Sequence, residues 1–208
     1  MKSFTVIVAV LTFLAHSQAL HSQDVFLLTT FDHSPDTATV EWLEQQTAQI
    51  FSEAGLTFSW QPRKQLNHIP TSAQPIWVQF HGACRIEPTL LSSPQNGPMG
   101  WVQSQDGDIL PLIDIDCDRT SAMVWQNRGT LPRPLVIRAF GRALGRVVSH
   151  ELYHYLTKSA EHSDSDVLRH AMTSRDLTLP EVRLAPSEIE ALRKAMNAMQ
   201  TSERSVTE

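Results

Sequence analysis

The stretch "PLVIRAFGRALGRVVSHELYHYLTKSAEH", Pro134 to His162, decides how the rest of the chain is read. Val136, Phe140, Ala143, Val147, His150 and His154 recur at steps of three and four, so they share one face of a long helix. Pro132 and Pro134 stand at its start, where a missing amide donor does no harm. His150 and His154 fall one turn apart, with β-carbons about 5–6 Å from each other, on the side that Phe140 and Val147 bury. Two imidazoles at that spacing direct nitrogens at one ion about 2.0–2.1 Å away, which suits tetrahedral Zn2+. Glu151 follows about 100° around the helix. There a carboxylate leans over the open metal position without filling it and takes a proton from a water. Gly141 and Gly145 each cost about 1 kcal/mol in a helix interior relative to alanine. Either a second backbone crosses closely there, or they are tolerated on the surface.

With nine histidines in 208 residues, a chance His-Glu-x-x-His match is expected about 2% of the time. This match also falls on the one long helix, so a metal site is the better reading. A catalytic zinc needs a third protein ligand and one open place. His162 is favoured, because the seven residues after His154 let the chain end the helix and fold back. His170 is an alternative, and Glu188 or Glu190 would serve in a two-histidine, one-glutamate set.

The length suits one domain with a real core. Composition is that of a globular protein, 41% apolar and 19% charged, which excludes a disordered or coiled-coil chain. A net charge of −5 with no basic run argues against nucleic acid as a partner. "MKSFTVIVAVLTFLAHSQAL" has Lys2, an apolar run from Phe4 to Ala15, and small residues at Ser17 and Ala19, the pattern of a secretory signal. That run is too short to span a bilayer. Residues 1–19 are therefore expected to be removed. Residues 20–208 are expected to form one secreted or periplasmic domain, with a frayed tail over 201–208. An oxidising compartment makes Cys84–Cys117 the expected disulfide, which the chain-entropy relation values at about 3–4 kcal/mol.

Elsewhere "DVFLLTTF" (Asp24–Phe31), "LTFSWQ" (Leu56–Gln61) and "PIWVQFHG" (Pro75–Gly82) read as strands. Val40, Leu43, Ile50 and Phe51 mark a helix that starts near Pro35–Asp36 and stops at Gly55. "GPMGWVQSQDGDILPLIDID" reads as two strands about an Asp106-Gly107 turn, with Pro111 pushing the second toward an edge or a bulge. "DIDCDRT" starts like a calcium loop but lacks the glycine and terminal glutamate, so Asp114, Asp116 and Asp118 read as a solvated strand end. Residues 157–180 read as an irregular connector, and "APSEIEALRKAMNAMQ" (Ala185–Gln200) as a helix capped by Ser187 and Glu190. The five tryptophans suit core or cleft wall. The order implies an α+β domain with helices on one mostly antiparallel or mixed sheet.

At "HELYHYLTKSAEH" followed by "HAM" the chain resembles the metzincin-type zincins, with His-Glu-x-x-His-x-x-Gly-x-x-His and a methionine turn. The run "HSDSDVLRHAM" is similar to that of matrixins, though slightly longer. The chain is also similar to small exported bacterial proteins carrying "GRALGRV" and "HELYH". The zincin resemblance implies a mixed sheet, a long active-site helix and a closing C-terminal helix. It implies His150, His154 and His162 as zinc ligands, Glu151 as general base and Met172 as the turn methionine. It also places an extended substrate along Gly100–Gln105. Two departures stand out: Thr157 replaces the family glycine, and seven residues rather than five precede the third histidine.

The function expected is that of an exported zinc endopeptidase acting on peptides or proteins. A catalytically silent zinc-binding module and a metal-dependent hydrolase of a non-peptide substrate are the alternatives.

Overall fold

The computed structural model describes residues 23–63, 74–86, 97–127 and 129–206; the expected leader over 1–19 lies outside them. Five strands form one sheet: β1 Gln23–Phe31, β2 Leu56–Pro62, β3 Ile76–His81, β4 Gly100–Gln105 and β5 Asp108–Asp116. Their order across the sheet is β2-β1-β3-β5-β4. β1 is parallel to β2 and β3, β3 is parallel to β5, and β4 is antiparallel to β5. The sheet is thus mixed, with parallel pairs in the majority. Helix α1, Thr37–Phe51, connects the parallel neighbours β1 and β2, as parallel strands require a crossover. A 3₁₀ turn over Ser52–Ala54 ends it, and Gly55 leaves with φ 80°, where a residue without a β-carbon is favoured.

The hairpin forms where Asp106-Gly107 falls, but Pro111 does not place its strand at an edge. β5 is interior, and its pairing with β3 begins only at Leu112. Pro111 stands opposite the register shift between Val102 and Ser104, where an absent amide costs no ladder bond. Among the described residues β4 is the edge strand of the hairpin, and β2 forms the opposite edge of the sheet.

One face of the sheet, through Ile76, Val78, Phe80, Ile113 and Ile115, shares a core with α1 and with α3, Arg133–Thr157. The expected buried stripe of α3 is realised: Val136, Phe140, Ala143, Val147, His150 and His154 are all buried. The two glycines mark a close crossing. A β-carbon on Gly141 would stand 2.5 Å from Thr39 O, and one on Gly145 would stand 2.7 Å from Leu43 O. Trp60 and Trp125 pack against the core, whereas Trp101 is exposed.

"DIDCDRT" is not a solvated strand end. Asp114 is buried, accepting hydrogen bonds from His81 Nε2 and Gln103 Nε2, both at 2.6 Å. Asp116 caps helix α2, Cys117–Gln126, by accepting from the Arg119 amide at 2.9 Å. Asp118 accepts from the Ala83 amide. Cys84 and Cys117 are bridged across 33 positions, tying the end of β3 to the start of α2.

The connector after α3 is more ordered than its composition indicates. It contains α4, Ser174–Thr178, closed by a capping box between Thr173 and Asp176. Arg146 is fully buried in α3 and donates to the carbonyls of Asp176 and Leu179. These bonds hold the connector against the helix. The last helix, α5, runs Pro186–Val206, so the segment after Thr201 continues helically to Val206. Its cap also differs from the Ser187–Glu190 pair: Glu188 Oε2 accepts from the Ala185 amide at 2.7 Å, one frame earlier. Pro186 then occupies the first helical position. No helix among the described residues is long and apolar enough to cross a membrane.

Candidate metal centre

The C-terminal half of α3 presents His150, Glu151 and His154 to one end of a cavity of about 740 Å³. His150 Nε2 lies 3.0 Å from His154 Nε2 and 3.2 Å from His162 Nε2. The three side chains are the metal-capable group found among the described residues. Carbonyl oxygens fix two of the rings. His150 Nδ1 donates to Val167 O at 2.8 Å, and His154 Nδ1 donates to Ser159 O at 2.7 Å. A carbonyl only accepts, so both protons sit on Nδ1 and both Nε2 atoms carry bare lone pairs. Two lone pairs facing across 3.0 Å repel unless a cation lies between them. Tetrahedral zinc at about 2.0–2.1 Å would set the nitrogens about 3.3–3.4 Å apart, close to the two spacings from His150, and all three nitrogens lie within 4.8 Å of one another. Burial lowers the pKa of His150 to about 4 and also lowers those of His154 and His162, so the rings are neutral donors at pH 7. The donor set fits zinc.

His162 reaches this group by a turn the sequence pattern does not indicate. Thr157 stays helical, and Lys158 takes the left-handed conformation at φ 52°. That conformation costs a non-glycine residue about 1 kcal/mol. Lys158 Nζ donates to Ile109 O at 3.0 Å and lies over the Tyr155 ring, which offsets the strain. The Ser159 amide then closes the helix on His154 O.

The other candidates separate. His170 lines the cavity, with its ring 4.8 Å from that of His162, but it stands outside the three-nitrogen group. Glu188 is buried and engaged by Ser163 and Ala185, while Glu190 is exposed. Met172 is half-buried, packs against the core and lines the same cavity.

Glu151 is 6% exposed. Burial pushes its carboxyl up to about 8, against a hydrogen bond from the Val102 backbone that favours the ionised form. The edge strand β4 therefore touches the carboxylate directly. Gly100 permits this approach, since a β-carbon there would lie 2.8 Å from Val147 Cγ1 and 3.0 Å from Glu151 Cγ. Sequence reasoning did not find α2, whose Arg119 and Met123 form another wall of the cavity. Asp116 at a strand end, followed by Val124 at helical spacing, was the available signal.

No known family profile and no curated protein matches this chain. Among solved structures it is similar to archaemetzincin from Methanopyrus kandleri, with 10% sequence identity and a TM-score of 0.48, covering 86% of this chain and 98% of that one.

Proposed function

We propose that this chain is an exported zinc-dependent endopeptidase, with His150, His154 and His162 as the metal ligands. One observation carries the reading: bare imidazole nitrogens converge beside a buried glutamate, at the end of an edge strand. When bound, zinc supplies the Lewis acidity that polarises a carbonyl and makes water acidic near pH 7. Glu151 accepts the proton of the attacking water and delivers it to the leaving amine. Positive charge held at the neighbouring imidazoles favours its ionised form. Among the described residues no strand pairs with the outer side of β4, which offers backbone donors and acceptors to an extended peptide, and the adjoining Trp101, Met123 and Met172 line the cavity for apolar side chains. Met172 serves as the turn methionine of the zincin pattern. The leader-like N-terminus and the Cys84–Cys117 bridge support export.

The absence of the family glycine at Thr157 would favour the silent-module alternative. Its motivation is weakened because Lys158 adopts the left-handed turn instead. The test is Glu151→Gln, which preserves shape and ligands but removes the base. Zinc content should stay at the parent level and hydrolysis of a casein or peptide pool should fall by about 10²–10⁴. Cleavage at the parent rate contradicts the reading.

A further inference from the structure

The three histidines are not held equally. His150 and His154 sit on a helix, are buried, and have their second ring nitrogens fixed by carbonyl oxygens. His162 lies on a loop and is exposed, and among the described hydrogen bonds its ring meets only His150 Nε2. Something must hold its backbone for the third nitrogen to stay in place.

The next residue supplies the tie. Ser163 Oγ donates to Glu188 Oε1 at 2.6 Å, and the Ser163 amide donates to Leu168 O at 3.1 Å. The same hydroxyl accepts from the Ser165 amide at 3.1 Å, and Ser165 Oγ in turn accepts from the Leu168 amide. Glu188 is itself anchored, since it is buried in the first turn of α5 and its Oε2 accepts from the Ala185 amide at 2.7 Å. A carboxylate accepting a hydroxyl proton at this length is a charge-assisted bond, about twice as strong as a neutral one. It bridges 25 positions, from the last helix to the residue beside His162.

We infer that Glu188 is the positioning residue of the third histidine, holding the His162 loop against α5 through Ser163. This rests on the three-histidine reading above and deepens it. It also gives the C-terminal helix a role, as the fixed post to which the metal loop is tied. Residues that orient metal ligands in this way are worth about 10–100-fold in metal affinity.

The test measures zinc affinity of the mature chain by competition with a chelating dye. Parent, Glu188→Ala, Ser163→Ala and Glu188→Gln are compared, and the first two changes are repeated in a His162→Ala background. Glu188→Ala and Ser163→Ala should each weaken zinc by about 10–100-fold. Glu188→Gln should lose less than about tenfold, because its amide oxygen still accepts from Ala185 and its amide nitrogen can donate to Ser163 Oγ. With His162 absent, neither change should weaken zinc further, since non-additivity marks groups acting through one another. Ser163→Ala leaves the Glu188 cap on α5 intact. Unchanged zinc affinity in that variant, or losses that persist without His162, overturns the inference and leaves Glu188 a helix cap. A parent chain that takes up no zinc overturns the three-histidine reading and this one with it.

Discussion

Gly100 stands directly against Glu151: a β-carbon added to the strand would lie 3.0 Å from Glu151 Cγ and 3.1 Å from its Oε1. The nearest atoms are Val147 Cγ1 at 2.8 Å, in the buried core, and the Glu151 side chain, so a methyl there must shift both. Gly100→Ala should therefore lower kcat/KM at least tenfold, about 1.4 kcal/mol of barrier, and also lower the melting temperature by overpacking against Val147. Peptide-cleavage kinetics beside a thermal scan check this. Parent-level activity would show that β4 does not set the position of the proposed base.

At Gly145 the obstructing atom is backbone. Its added β-carbon would meet Leu43 O at 2.7 Å and Gln46 Cβ at 2.8 Å. Gly145→Ala forces α1 and α3 apart, costing about 1–3 kcal/mol by overpacking, partly offset by about 1 kcal/mol of helix propensity. A net fall in thermal midpoint is expected, and a rise would contradict the close crossing.

The bridge between Cys84 and Cys117 closes a loop of 33 positions. Replacing both cysteines by serine should cost about 3–4 kcal/mol, or about 6–16 °C of melting temperature in a domain of this size. An unchanged midpoint would mean that the end of β3 and the start of α2 are held without it.

His81 makes stability depend on pH in a definite direction. Its hydrogen bond to Asp114 raises its pKa, outweighing the desolvation that lowers it, and the charges of Asp114 and Asp32 add to the rise. The folded value thus exceeds the unfolded value of about 6.5. The stabilisation is full below about pH 6.5 and is lost as pH rises through the elevated value. His81 is 41% exposed, so solvent screening keeps the effect below about 1 kcal/mol. Urea midpoints at pH 5.5 and 8.5 should show less pH dependence in His81→Gln than in the parent; an identical slope would contradict the pairing.

The helix that carries the site was legible because the same three-and-four spacing that buries Phe140 and Val147 also aligns His150 with His154. The disulfide was legible from Cys84 and Cys117 being a single pair. Strand direction was not, since the parallel pairing of β1 with β3 depends on long-range register that no local pattern carries. The reading of "DIDCDRT" does not show that Asp114 accepts hydrogen bonds from His81 and Gln103, on two other strands. Arg146 looks like a surface residue in sequence, and only the fold brings the carbonyls of Asp176 and Leu179 to it. Glu188 drew notice as a possible ligand, yet its carboxylate is engaged by Ser163 and Ala185.

The central claim is tested most directly by counting zinc. Elemental analysis of the purified protein should give one equivalent, with loading lost in His150→Ala and His154→Ala and sharply reduced in His162→Ala. Full loading in all three variants, or none in the parent, would contradict the account.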